Sequence, residues 1–150
     1  MAIEYKIAPS KLAAEYIELR GLTRENPITK DALRSYGITA ESWAQDIESE
    51  KTRGFIALSG AHMIGYCFAD IDTGEVLVLA VLPAYEGQGI GRRLLGLVIE
   101  LFKDHGYNRL FLGCSPDANV RSHGFYRRLG WHSTGSLDKH GDEILELRCA

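Results

Sequence analysis

The spacing of hydrophobic and polar positions predicts most of the elements of this chain. "IEYKI" (3–7) alternates apolar and polar residues, as a half-buried strand does. Pro9 and Ser10 open a helix whose apolar residues Leu12, Ala13, Tyr16 and Ile17 recur at helical spacing. "GLTRENPIT" (21–29) is polar and broken by Pro27, so it reads as a loop. A second helix begins near Thr39, a suitable N-cap, with Trp43 and Ile47 four apart on its buried face. Three strands follow at 53–58, 63–71 and 75–82, separated by "SGAH" and "DTG" in the manner of hairpin turns. The third is apolar at nearly every position, which predicts a central strand buried on both faces. A helix covers 89–105, with Ile90, Leu94, Leu97, Val98, Leu101 and Phe102 on one stripe and Gly106 at its end. A strand at 109–114, a helix from Asn119 to Leu129 closed by Gly130, and strands at 131–137 and 143–149 complete the chain. The order βααβββαβαββ predicts an α+β fold, a mixed central sheet flanked by helices. No repeat, linker or low-complexity stretch interrupts it, so a single domain is expected over residues 1–150.

Composition narrows the function classes. The net charge of −3 gives no basic surplus, which argues against a nucleic-acid partner. No apolar run approaches the roughly 18 residues of a membrane span. "MAIEYKIAPSK" has neither the basic start nor the apolar stretch of a secretory signal. Cys67, Cys114 and Cys149 are odd in number and never CxxC, which fits a reducing cytoplasm and neither a disulfide framework nor a zinc site. His62, His105, His123, His132 and His140 show no metal-ligand spacing, so no metal is expected; His123 shares a helix with Tyr126.

The stretch that carries chemistry is "LAVLPAYEGQGIGRRLLGLVIELF" (79–102), a strand, a loop with Gly87, Gly89 and Gly91 at alternate positions, and a helix. Glycines leave no Cβ in the way and take backbone angles closed to other residues. The amides of Gly87, Gln88, Gly89, Ile90 and Gly91, with the positive end of the helix, can therefore converge on a phosphate. The plainer alternative is a flexible strand-to-helix turn. Arg92 and Arg93 stand where a Walker loop needs Lys-Ser/Thr, and the spacing is GxGxG rather than the GxGxxG of a dinucleotide fold.

"VLAVLPAYEGQGIGRRLL" resembles the pyrophosphate-binding motif of the GNAT family of N-acetyltransferases: Gln or Arg, two residues, Gly, one residue, then Gly or Ala. Gly89 and Gly91 fall on its small positions, whereas Glu86 stands where the motif has Gln or Arg; Gln88 is a polar substitute for that side chain. "ANVRSHGFYRRLGW" (118–131) resembles a later motif of the same family through Asn119, Tyr126, Gly130 and Trp131, with Ser122 in place of alanine. The resemblance implies a GNAT-like fold and transfer of an acetyl group from acetyl-CoA, as co-substrate, to a primary amine. It implies a pantetheine arm lying along Leu79, Ala80 and Val81, and phosphates held by Glu86, Gly87, Gln88, Gly89, Ile90 and Gly91. Arg92 or Arg93 would reach a phosphate, or stay a solvated first-turn arginine.

An alkylammonium is neutral in only about one molecule in 2,500 at pH 7, and only the neutral amine attacks. The site needs a base for that proton, N–H donors for the carbonyl oxygen and an acid for the departing thiolate. By its motif position Tyr126 is the expected acid, against a plain packing role. Asn119 would bind pantetheine, cap its helix, or do both. Glu75, at the turn opening the central strand, is the base that the family resemblance implies, acting through water, against a solvent-facing role; Asp70 and Asp72 lie near it. Arg20, Arg24 and Glu25 stand on the loop that in the family covers the acceptor. The expected acceptor is a small cationic amine, with a peptide or protein N-terminus or lysine as the alternative, and the family pattern extends to a homodimer. Two further classes stay open: an acyl-CoA-binding module without turnover, and a binder of another nucleotide.

Overall fold

The structure, a computed structural model, describes residues 2–24 and 27–149, so Glu25 lies outside the described residues. Strand β1 (Ile3–Ile7) leads through a short 3-10 turn into helices α1 (Ala13–Arg20), α2 (Lys30–Ser35) and α3 (Ala40–Glu48). Strands β2 (Thr52–Ser59), β3 (His62–Asp70) and β4 (Glu75–Val81) form a meander, followed by helix α4 (Ile90–Asp104). Strand β5 (Arg109–Cys114), helix α5 (Arg121–Arg128) and strands β6 (His132–Leu137) and β7 (Glu143–Arg148) end the chain. Helix α2 is the one addition to the expected order. Its six residues are too few to carry an apolar period, and its signal is the Thr29 side chain, which accepts from Ala32 N–H at 3.2 Å. Thr39 caps α3 as expected, in a reciprocal box with Ser42: each hydroxyl accepts from the other residue's N–H.

The sheet runs β1-β2-β3-β4-β5-β7-β6, antiparallel everywhere except between β4 and β5. Helices α4 and α5 cover one face, over a core that includes Leu94, Val98, Phe102, Leu110, Trp131 and Tyr126. Helices α1 and α3 cover the other, where Tyr16, Tyr66 and Phe68 pack with Trp43 in a four-ring cluster whose centroids lie 4.9–5.8 Å apart. Tyr66 donates to the Tyr16 carbonyl at 2.8 Å and Tyr16 donates to the Pro9 carbonyl at 2.7 Å, which ties α1 to β3.

Strand β4 departs from the expected burial on both faces. It is central in the sheet, yet Leu77 is 43% exposed. Phe68 pairs with Val78 and Ala69 with Val76, so Leu77 is the extra residue of a β-bulge. The bulge re-phases the strand: Val76, Leu79 and Val81 face the α4 core, and Val78 and Ala80 face the α1 core. Beyond it β4 leaves β5. Their ladder has one registered pair, Glu75 with Phe111, and the strands splay toward their C-terminal ends.

Close packing of the frame around this gap makes a sharp prediction. Gly54 of β2 pairs with Phe68, and a Cβ there would lie 2.3 Å from the Cys67 carbonyl oxygen and 2.6 Å from the Phe68 ring. Gly54→Ala should therefore cost about 2–3 kcal/mol, a drop in Tm of roughly 5–10 °C by thermal melt. An unchanged Tm would mean that β2 and β3 can part at this point.

Candidate active site

The splay of β4 from β5 forms a cleft of about 300 Å³. Val76–Val81 make one wall, Leu112–Ser115 the other, and the loop 85–92 and the first turns of α5 close the ends. Because β4 has no ladder partner here past Glu75, its edge carries amide and carbonyl groups into the cleft, a template for an extended chain. The bulge at Leu77 leaves a main-chain group outside the β3 ladder at the narrow end.

At the wide end, Pro83 starts a 3-10 turn (Pro83–Tyr85), and the chain then doubles back into α4 through left-handed backbone at Gly87 (φ +76°) and Gly89 (φ +79°). Gly89 is the N-cap of a fifteen-residue helix, and its carbonyl accepts from Arg93 N–H at 3.0 Å. A glycine cap has no side chain to satisfy the first amides, which stay available at the positive end of the dipole. A Cβ at Gly87 or Gly89 would meet no protein atom within 4 Å, so both positions border open space. These observations fit a phosphate-bearing ligand whose arm continues along β4.

The expected site residues divide into two groups. Leu79, Ala80, Val81, Glu86, Gly87, Gly89, Ile90, Gly91, Arg92 and Tyr126 all line the cleft. Gln88, Asn119 and Glu75 do not. Gln88 is exposed. Asn119 is exposed too; its N–H donates to Asp117 Oδ1 at 2.9 Å, and α5 begins two residues later with Val120 at the N-cap, so Asn119 does not cap the helix. Glu75 sits at the closed end of the splay, paired with Phe111, half-buried. Of the two arginines after the glycines, Arg92 faces the cleft and Arg93 lies over the Tyr5 ring at 5.7 Å. Asp70 accepts from Asp72 N–H within the β3–β4 turn.

Several lining residues had no motif to reveal them. Leu77 and Val78 line the cleft because of the bulge, and Thr23 reaches it from the end of α1 beside Arg20 and Arg24, which the family resemblance singles out. Asp142 comes from the β6–β7 loop and lies over Gly113, where a Cβ would be 3.5 Å from its own. That loop is pinned by Asp138, whose Oδ1 accepts from the N–H groups of His140 and Asp142, and His140 meets the Tyr36 ring edge-on.

Burial sets the charge states. It pushes the Tyr126 phenol well above its ordinary value; Cys67 and Cys114 nearby push the same way, and Arg20 pulls against them. Tyr126 therefore holds its proton through the physiological range. Glu75 is raised by burial, then by Asp70 and Asp138, and Asp142 by burial and Asp138 against a lowering from His140. Among the described residues no cluster of His, Cys, Asp and Glu suits a metal ion, and no helix is long and apolar enough to cross a membrane.

A splayed β4–β5 pair with a glycine-opened helix at its mouth is a frame for an extended, phosphate-bearing ligand, and the family pattern of the sequence makes it that of an acetyltransferase. The profile of the Acetyltransferase (GNAT) family matches residues 17–131, and the chain belongs to that family. It is similar to N-alpha-acetyltransferase 30 of Schizosaccharomyces pombe, 32% identical over 84 residues, a stretch covering 51% of this chain and about half, 55%, of that protein. Among solved structures it resembles the PaiA N-acetyltransferase of Thermoplasma acidophilum in complex with coenzyme A, with a TM-score of 0.74, 21% identity and 99% of each chain covered. It also resembles the ribosomal-protein-S18-alanine N-acetyltransferase of Escherichia coli, with a TM-score of 0.73, 18% identity, and 99% of this chain and 95% of that one covered. At these identities the likeness to solved structures is one of fold.

If the glycine turn is a cofactor wall, filling it should act on binding beyond any backbone strain. Gly37 has the same kind of backbone (φ +80°) with equally open space, away from the cleft. Gly37→Val and Gly89→Val should lose comparable stability, about 1–2 kcal/mol from the left-handed angle. Only Gly89→Val should raise the KM for acetyl-CoA, by about tenfold or more. Equal KM values for the two variants would remove the turn from the cofactor site.

Proposed function

We propose that the protein is an N-acetyltransferase that passes the acetyl group of acetyl-CoA to a primary amine by direct attack within the β4–β5 cleft. The observation that carries this is one continuous surface: amides at the α4 N-terminus, the unpaired edge of β4 and the Tyr126 phenol line the same cleft. Acetyl-CoA is the co-substrate, and its thioester supplies the acetyl group. The α4 amides and Arg92 hold phosphate, and the main chain of Leu79, Ala80 and Val81 pairs with amides of the arm. The main-chain group freed by the bulge at Leu77 is the donor for the carbonyl oxygen as charge develops on it. Tyr126, kept protonated by burial, gives its proton to the departing sulfur. The amine's proton passes to a carboxylate, directly to Asp142 on the wall or through water to Glu75 at the closed end.

The acidic groups on this side, Glu75, Asp138 and Asp142, support a small cationic amine as acceptor. A second reading, an amine at a peptide N-terminus, is favoured by kinship with proteins named for N-alpha and ribosomal-protein-alanine acetylation. Thiol release from acetyl-CoA, measured against polyamines, amino acids, lysine and a peptide with N-terminal alanine, tests both. Release with one group identifies the acceptor class. Binding of coenzyme A without release for any amine would make the chain a binding module, and thermal protection by ATP or NAD but not by coenzyme A would exclude the coenzyme altogether.

Two substitutions test the assigned proton transfers. Tyr126→Phe should lower kcat about 100-fold with the KM for acetyl-CoA unchanged, because the acid acts only in the transition state. An unaltered kcat would remove Tyr126 from catalysis. The base works only when ionised, so kcat/KM should fall as pH drops through its raised pKa, above the ordinary carboxylate range. Asp142→Asn and Glu75→Gln, followed from pH 5 to 9, should abolish or move that acidic limb; a limb unmoved in both would assign the proton to another acceptor.

A further inference from the structure

At the wide mouth of the cleft, Glu86 binds two arginines from different walls. Its Oε2 accepts from Nη1 of Arg121, the first residue of α5, and lies 3.2 Å from Nη2 of Arg24, beyond the end of α1. All three residues line the cleft. The Glu86 side chain is only 20% exposed, against 41% for Arg121 and 56% for Arg24, so the carboxylate forms the inner part of the cluster and the guanidiniums its outer part. Glu86 directly precedes Gly87, at the turn whose amides open α4.

A carboxylate at this position would repel a phosphate if it stood alone. Here the two guanidiniums that Glu86 binds offset its charge at the mouth. A guanidinium is a planar fork of five N–H donors, so it can serve a carboxylate and a phosphate together, and its geometry matches phosphate oxygens. Arg92 adds a further cation on the α4 side of the same mouth. Three chain segments far apart in sequence are thus drawn by one acidic side chain around the place where the α4 amides point.

We propose that Arg121 and Arg24 are phosphate-binding residues for the coenzyme, and that Glu86 is a positioning residue that holds both guanidiniums across the mouth of the cleft. The assignment rests on acetyl-CoA occupying this cleft, as proposed above. It gives the acidic residue before the glycines a part in binding an anion: the side chain works through the arginines and does not touch the phosphates. It also links the segment after α1, on the acceptor side, to the cofactor side through Arg24.

The test is calorimetric titration of coenzyme A, which needs no acceptor, at low and high salt. Arg121→Ala should weaken binding about tenfold at low salt, as expected for a lost charge-assisted contact, and Arg24→Ala somewhat less. Both deficits should shrink at high salt, because a lost ion pair matters less when charges are screened. Melting of the free proteins should stay close to that of the parent, since exposed ion pairs add little stability. Glu86→Gln is the decisive variant. It removes a negative charge beside the phosphates, so simple repulsion predicts tighter binding, whereas loss of positioning predicts weaker binding, by roughly threefold. In an Arg24→Ala/Arg121→Ala background the same change should no longer weaken binding. Parental affinity and salt dependence in both arginine variants, or tighter binding by Glu86→Gln alone, would overturn the proposal and leave the coenzyme site standing. Failure of the parent protein to bind coenzyme A would overturn both.

Discussion

The constraint on which the rest of this structure depends is that β4 and β5 begin as neighbours and do not remain so. A parallel pair inside a sheet normally satisfies its main chain along its whole length. Here the pairing stops at Glu75 and Phe111. Past that pair β4 becomes an internal edge, with unpaired donors and acceptors on apolar strand residues, a surface that suits an extended, partly polar chain. The bulge at Leu77 accompanies the parting, and the flanking hairpin with β3 keeps β4 from following β5. Helices pack on both faces of the sheet, with Phe102 and Leu94 in the core on one side and Tyr16 and Phe68 in that on the other.

The charges follow the same geometry. The wide end gathers Arg24, Arg92, Arg121 and the positive pole of α4, and the acids Glu75, Asp138 and Asp142 gather where β4 and β5 meet and along the β6–β7 loop. A substrate with phosphates at one end and an amine partner at the other would therefore meet a field that orients it before any contact forms. The phenol of Tyr126 lies in the buried part of the cleft, where desolvation keeps it neutral and strengthens each remaining hydrogen bond.

Much of this was legible in the sequence, for reasons that can be named. The apolar stripe Ile90–Phe102 marked α4, the alternation at 3–7 marked β1, and glycines at 87 and 89 announced a backbone that only glycine takes easily. Strand β4 shows the limit. Its unbroken apolar run reads as burial on both faces, because periodicity reports that a residue avoids water and not what covers it. Helix α2 was silent because six residues make too little of a stripe. Asn119 came from a fixed place of the later motif and Gln88 from its place among the glycines; both are exposed and outside the cleft lining, and α5 starts two residues after Asn119. Leu77, Asp142 and Arg121 could not be found at all without the fold. A bulge, a loop returning over Gly113 and an ion pair across 35 positions leave no local pattern in the chain.

The relay from Tyr66 to Tyr16 to Pro9 has a consequence for how such a protein can change over generations. It anchors the start of α1 to the most deeply buried strand, so the helix that brings Arg20 to the cleft inherits its position from β3. The chain after α1 folds back on that helix, Ile28 N–H donating to the Arg20 carbonyl at 3.0 Å, while Arg24 reaches across to Glu86. A substitution at Arg24 would therefore reach the glycine turn through Glu86 without passing through the core. A mutation at Tyr66, deep in the core, would instead tilt α1 as a whole and shift Arg20 at the cleft from inside.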